Sequence, residues 1–112
     1  MINRVIVCGG RDFKDEELCY ASLDKLLNNI GNIEIVSGNA SGADTFGEKY
    51  AEKNGFEVKI FKPDWKKYGR AAGPIRNREM LEYALAENAI VVAFWDGKSK
   101  GTKNMISQAQ NS

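Results

Sequence analysis

Ser37-Gly38-Asn39-Ala40-Ser41-Gly42-Ala43-Asp44 is the stretch on which the reading of this chain turns. A short β-branched run (Ile33, Ile35, Val36) leads into it, and a segment with helical character, Asp44 to Asn54, follows. A strand that breaks into small residues and restarts as a helix leaves the first backbone N–H groups of that helix without partners. Those donors, with the positive end of the helix dipole, make an anion site. Gly38 and Gly42 let the backbone turn sharply and approach a ligand closely. Two readings stay open here: a phosphate-binding turn, or a tight connection in which Ser41 or Asp44 caps the helix.

The same device recurs downstream. Ala89 to Trp95 (Ala-Ile-Val-Val-Ala-Phe-Trp) is the most hydrophobic run of the chain and is expected to form a central strand. Asp96-Gly97-Lys98-Ser99-Lys100-Gly101-Thr102 follows it, and a last helix is expected over Lys103 to Gln110. The turn is not a P-loop, because the Gly-Lys-Ser/Thr ending at the required spacing is absent. Two helix starts at one crevice could share a phosphorylated ligand, with Lys98 and Lys100 adding charge. A valine at Gly42 or Gly101 is then expected to displace the anion and leave the domain folded. Gly9-Gly10-Arg11-Asp12 supplies a third loop. Arg11 and Asp12 suit a phosphate and a ribose, or simply a salt-bridged turn.

The rest of the chain fits around these turns. Arg4 to Cys8 is a near-continuous apolar run, as in a strand covered on both faces. Cys19, Leu23, Leu26, Leu27 and Ile30 then mark one helical face, with Asp15, Glu16 and Glu17 in its first turn and Gly31 at its end. Glu57 to Lys62 reads as a third strand near the sheet edge, stopped by Pro63. Asp64 to Gly73 reads as an irregular loop, and Pro74 opens a helix whose inward face carries Asn77, Met80, Leu81, Ala84 and Leu85. Strand and helix alternate four times. The expectation is one α/β domain over residues 1–112: a Rossmann-like, mostly parallel sheet of four to five strands with helices on both faces. Ligands of such sheets bind beyond the carboxyl ends of the strands, where all of these turns gather.

Composition narrows the chemistry. A net charge of +1 argues against a protein built to coat nucleic acid. No apolar run reaches the roughly 20 residues of a membrane helix, and a cytoplasmic location is the default expectation. There is no histidine, which removes Ser-His-Asp and Cys-His catalysis and His-based zinc sites. Cys8 and Cys19 read as buried small hydrophobes. Acid–base work would fall to carboxylates, Lys, Tyr or Cys, with Asp44, Glu79 and Asp96 as the carboxylate candidates. Arg76, beside Asn77, could clamp a phosphate bidentately or stand as an exposed helix charge. Trp65 and Tyr68 could stack on a nucleobase or cover the core.

Taken as an ordered set, these motifs resemble the YspA-like branch of the SLOG superfamily. The set is Gly9-Gly10-Arg11-Asp12-Phe13, Ser37-Gly38 through Gly42-Ala43-Asp44, Asp64-Trp65, Ala72-Gly73 with Arg76-Asn77 and Met80, and Phe94-Trp95-Asp96-Gly97 with Ser99, Gly101 and Thr102. It runs from Val5 to about Ile106. The resemblance implies a Rossmann-like fold that binds a nucleotide or a nucleotide-derived ligand. Relatives in the superfamily include the "lonely guy" phosphoribohydrolases and the DNA-processing protein A family. The phosphoribohydrolases carry a glutamate just after a PGGxGT turn, whereas Gly101-Thr102-Lys103-Asn104-Met105 has no carboxylate there. Their motif arginine has a counterpart in Arg76. The family also implies a further strand after the last helix, so the sheet here is one strand short or another subunit supplies its edge.

The leading expectation is a sensor or sequestering module for a nucleotide-derived small molecule, of the ADP-ribose kind or a cyclic signal. Mg²⁺ could accompany its phosphates, and a homo-oligomer is expected. Its binding residues are Gly9, Gly10, Arg11, Asp12, Ser37, Gly38, Ala40, Ser41, Gly42, Ala43, Asp44, Trp65, Arg76, Asn77, Asp96, Gly97, Ser99, Gly101 and Thr102. The alternatives are an N-glycosidase acting on nucleotides and, third, single-stranded nucleic-acid binding through Lys62, Lys66, Lys67, Arg70, Arg76 and Arg78.

Overall fold

The alternation of apolar runs and amphipathic segments resolves into four strands and five α-helices in a computed structural model that describes residues 1–112. Strand β1 (Asn3–Gly9) is followed by α1 (Glu16–Leu27), β2 (Ile33–Ser37), α2 (Ala43–Asn54) and β3 (Glu57–Ile60). A short helix, α3 (Trp65–Tyr68), and a 3₁₀ turn (Gly69–Ala71) lead into α4 (Ala72–Leu85), β4 (Asn88–Phe94) and α5 (Lys100–Gln110). All four strands run parallel in the order β3-β2-β1-β4. The architecture is the expected Rossmann-like α/β sheet.

Side-chain alternation along β1 divides the interior into two layers. Val5 and Val7 face α1 and α2 and pack with Cys19, Leu23, Leu27, Tyr50 and Ala51. Ile6 and Cys8 face α4 and α5 and pack with Met80, Leu81, Ala84 and Met105. Full burial of each such large side chain is worth about 1.5–3 kcal/mol, so the two layers hold the helices firmly on the sheet. Gly47 lets α2 lie close on β1, since a Cβ there would come within 2.8 Å of the Cβ of Val7. That close approach positions the start of α2 beside the end of β1.

Several local expectations are corrected. The Ala89–Trp95 run forms an edge strand: β4 pairs only with β1, which with β2 makes up the interior of the sheet. Apolar character reports cover by helices above and below, and an edge strand receives that cover as well as a central one. Asp64 to Gly73 is not irregular, because the Asp64 carboxylate accepts the Lys67 N–H at 3.1 Å and caps α3. Helix α4 then begins at Ala72, so Pro74 lies within its first turn, where a missing N–H costs nothing. Helix α1 ends at Leu27 with Asn28 as its cap, and Gly31 lies beyond it. Leu26 and Leu85 are exposed, off the inward stripes of their helices. Helix α5 starts at Lys100, three residues earlier than expected, because Ser99 accepts the Thr102 N–H and caps it. Gly42, rather than Ser41 or Asp44, is the N-cap of α2. No helix is long and apolar enough to cross a membrane.

Candidate functional site

The starts of α2, α4 and α5 open on one crevice of about 1170 Å³, floored by the end of β1 and its following loop. Its geometry begins with two glycines. Gly42 has φ of +79°, and a Cβ on it would collide with the carbonyl oxygen of Gly10 and lie 2.8 Å from that of Arg11. The start of α2 is thus pressed against the β1 loop, with Ser41 Oγ donating weakly to the Arg11 carbonyl at 3.4 Å. This corrects the expectation that Gly42→Val leaves a folded domain, because Gly42 is a packing contact and does not line the crevice.

With glycine at the cap, no side chain satisfies the first turn of α2. The amides of Ala43, Asp44 and Thr45 have no acceptor within the protein, and the first intrahelical bond runs from Phe46 N–H to the Gly42 carbonyl at 3.1 Å. The preceding loop is held internally: Asn39 N–H donates to Ser37 Oγ at 3.1 Å and Ala40 N–H to Asp44 Oδ2 at 3.2 Å. Ser37 is itself buried and donates to Glu48 Oε2 at 2.6 Å, so it shapes the loop from beneath.

Asp44 lines the crevice but is only 5% exposed. Burial raises its pKa from 3.8 to about 6, against the opposing pull of the Ala40 amide and the Arg76 charge, while Glu48 adds to the rise. The positive end of a helix dipole favours the ionised form of a carboxylate beside it. For Asp44 desolvation outweighs the helix dipole. Asp96 is the opposite case: its Oδ1 accepts the N–H groups of Ser99 at 2.9 Å and Lys98 at 2.7 Å, which holds its pKa below the ordinary carboxylate value.

Those two bonds make the α5 start unlike the α2 start. The loop's own carboxylate occupies two donors, and Ser99 Oγ takes the Thr102 N–H at 3.3 Å. Only the Lys100 and Gly101 amides remain without an acceptor at that end. Thr102 is buried, its hydroxyl 2.9 Å from that of Ser99.

Arg76 is half-buried. Its Nη1 donates to the Gly38 carbonyl at 2.6 Å and its Nε to Asn77 Oδ1 at 3.1 Å. It makes no ion pair within 4.0 Å with Asp44, although both flank Gly38. Part of the guanidinium fork is therefore committed to holding the β2–α2 loop. Asn77 is 4% exposed and ties α4 to α5, its Nδ2 donating to the Gly101 carbonyl at 3.2 Å and to Asn104 Oδ1 at 3.0 Å.

Of the residues singled out from sequence, Gly9, Gly10, Arg11 and Asp12 line the crevice, as do Gly38, Ala40, Ser41 and Asp44. So do Trp65, Arg76, Asn77, Asp96, Ser99, Gly101 and Thr102. Ser37, Gly42, Ala43 and Gly97 do not, and Glu79 is exposed outside it. Asn104 was not anticipated, since its place beside Asn77 comes from the packing of α5 on α4. Cys8 also reaches the crevice floor, where burial lifts its thiol to about 12 and keeps it protonated. No group of three or more carboxylate, thiol or imidazole side chains is placed to hold a metal ion. Mg²⁺ would have to draw on one or two carboxylates such as Asp12 or Asp96 together with ligand phosphates, which is its usual manner.

The profile of the "YspA, cpYpsA-related SLOG family" matches residues 3–68, which contain both the Gly9–Asp12 and the Ser37–Asp44 loops. The chain is also similar to the gene 61 protein of Mycobacterium phage D29, at 32% identity over 115 residues covering 97% of this chain and 90% of that protein. No solved structure matches the chain significantly. The Arg76–Thr102 motifs lie beyond the profile match but within the span shared with the phage protein. With the first two loops of the crevice inside the matched region, the chain belongs to the YspA, cpYpsA-related SLOG family.

Proposed function

We propose that the protein binds a nucleotide-derived ligand in this crevice and acts as a sensor or sequestering module, with the ligand's phosphate against the start of α2. The observation that carries this reading is the start of α2, whose first amides have no acceptor within the protein and whose Asp44 lines the crevice together with Arg11 and Arg76. Backbone donors at a helix start, backed by the dipole and two guanidinium groups, suit a phosphate better than any uncharged group. Family membership supports a nucleotide-related ligand. A thermal-shift series with AMP, ADP-ribose and cyclic nucleotides tests it: a specific ligand raises the melting temperature with concentration. Absence of a shift across phosphorylated nucleotides at millimolar concentration would reject the reading.

Asp44 favours one second reading, N-glycosidic cleavage. It is the one crevice carboxylate whose pKa is raised towards neutrality, so it can hold a proton for a departing base. Chromatography of AMP, GMP, CMP and UMP incubated with the protein distinguishes the two. We expect no free base, and release that vanishes in Asp44→Asn would put catalysis first. The open edge of β4 is where a second copy of the chain would add, which light scattering on the purified protein tests.

A further inference from the structure

A second hollow of about 670 Å³ lies on the other side of Gly10. It shares Gly10, Asp12 and Asp96 with the crevice, so the two form one depression with a seam across it. Its character is different. Phe13, Leu18, Phe94 and Trp95 give it an apolar surface, with Leu18 and Trp95 left 50% and 42% exposed. Two contacts hold parts of the shelf in place. The rings of Phe13 and Phe94 lie 5.0 Å apart, and Trp95 Nε1 donates to the Ser99 carbonyl at 3.1 Å. Lys14 and Asp15 are its remaining charged lining residues.

We propose that this shelf receives the planar base of the ligand, that Asp12 and Asp96 at the seam take its ribose hydroxyls, and that the phosphate lies in the crevice beyond Gly10. The assignment rests on the phosphate reading of the α2 start given above. It follows from the order of chemistries along the depression. Arg11, Arg76 and Asp44 of the α2 start line the crevice alone, Asp12 and Asp96 belong to both hollows, and the second hollow has the apolar floor. Carboxylates repel a phosphate at the seam and accept hydrogen bonds from hydroxyl groups there. An apolar, partly aromatic surface takes the face of a heterocycle without regard to its edge pattern. That sequence of environments matches a nucleoside phosphate laid base-to-phosphate across the loop. Gly10 keeps the seam low, and a Cβ placed there would meet nothing closer than the Ser99 Cβ at 3.8 Å.

The test compares AMP with ribose 5-phosphate by calorimetric titration. Base burial on the shelf should make AMP bind roughly tenfold or more tightly than ribose 5-phosphate. In the double variant Leu18→Gln, Trp95→Gln, checked by its melting curve for a folded state, that advantage should vanish while ribose 5-phosphate binds as before. Leu18→Met should retain the advantage. Removal of the ribose hydroxyls, in 2′,3′-dideoxy AMP, should weaken binding several-fold. An AMP advantage that survives the double variant but is lost in Trp65→Ala would put the base at the opposite end and overturn the inference, as would equal affinity for AMP and ribose 5-phosphate in the unaltered protein. Failure of every phosphorylated probe to bind would reject the phosphate crevice itself, a result distinct from loss of the base preference alone.

Discussion

Arg76 Nη1 donates to the carbonyl oxygen of Gly38 at 2.6 Å, joining the first turns of α4 to the turn that follows β2 across 38 positions of sequence. The bond fixes the loop from which α2 springs, and Arg76 lines the same crevice as Asp44 in the first turn of α2. One side chain therefore both shapes the proposed phosphate site and charges it.

Truncation at this position should affect binding and stability together. A hydrogen bond to a charged group contributes about 1.5–3 kcal/mol, so Arg76→Ala should weaken nucleotide binding tenfold or more and lower the melting temperature. Arg76→Lys keeps the charge but cannot serve Gly38 and Asn77 at once, and should recover only part of each loss. Calorimetric titration and thermal melts report the two effects separately. Unaltered affinity in Arg76→Ala would remove the residue from the site.

Gly42 and Gly101 should part company on mutation. At Gly42 the positive φ and the Gly10 carbonyl leave no room for a Cβ, so Gly42→Val should unfold or severely destabilise the protein. A Cβ at Gly101 meets nothing within 4 Å, so Gly101→Val should fold. Its bulk would stand in the crevice and weaken binding of a ligand that reaches the α5 start. Circular dichroism of both variants, followed by titration of the second, checks the contrast.

Asp44 should make stability fall with rising pH over a narrow window. Its folded pKa of about 6 exceeds the ordinary 3.8, so between those values the native state holds more protons than the unfolded chain. Stability then declines as pH rises from about 4 to 6 and levels off above, a total of about 2–3 kcal/mol for a shift of this size. Asp44→Asn retains an acceptor for the Ala40 amide and removes the titration. The variant should gain melting temperature relative to the parent at pH 8 and lose that gain near pH 4. A difference between the two proteins that stays constant with pH would contradict the assignment.

Asn77 should prove to be a brace between helices. Asn77→Ala removes the two hydrogen bonds that join α4 to α5, at the Gly101 carbonyl and at Asn104 Oδ1, a cost of about 0.5–1.5 kcal/mol for each. Hydrogen exchange of the α5 amides should quicken more than that of α2. Equal acceleration throughout the chain would show a global effect instead.

What the sequence by itself determined is the alternation of strand and helix, and with it the gathering of the Gly9–Asp12, Ser37–Asp44 and Asp96–Thr102 turns at one edge. In a parallel sheet every strand ends on the same side, so three turns that each follow a strand must meet there. Periodicity also marked the inward residues Cys19, Leu23, Met80 and Ala84, because local pattern records which face is covered. Tertiary structure alone decided the rest. The apolar run of β4 says that helices cover its faces and nothing of how many strands flank it, so its place at the edge was not legible. Asp44 and Asp96 are the same residue type near similar turns, yet one is raised towards neutrality by burial and the other held low by its own loop amides. Proton affinity and hydrogen-bond partners depend on what lies within a few ångströms in space, and residues such as Gly38 and Arg76 become neighbours only when the sheet brings distant turns to one edge.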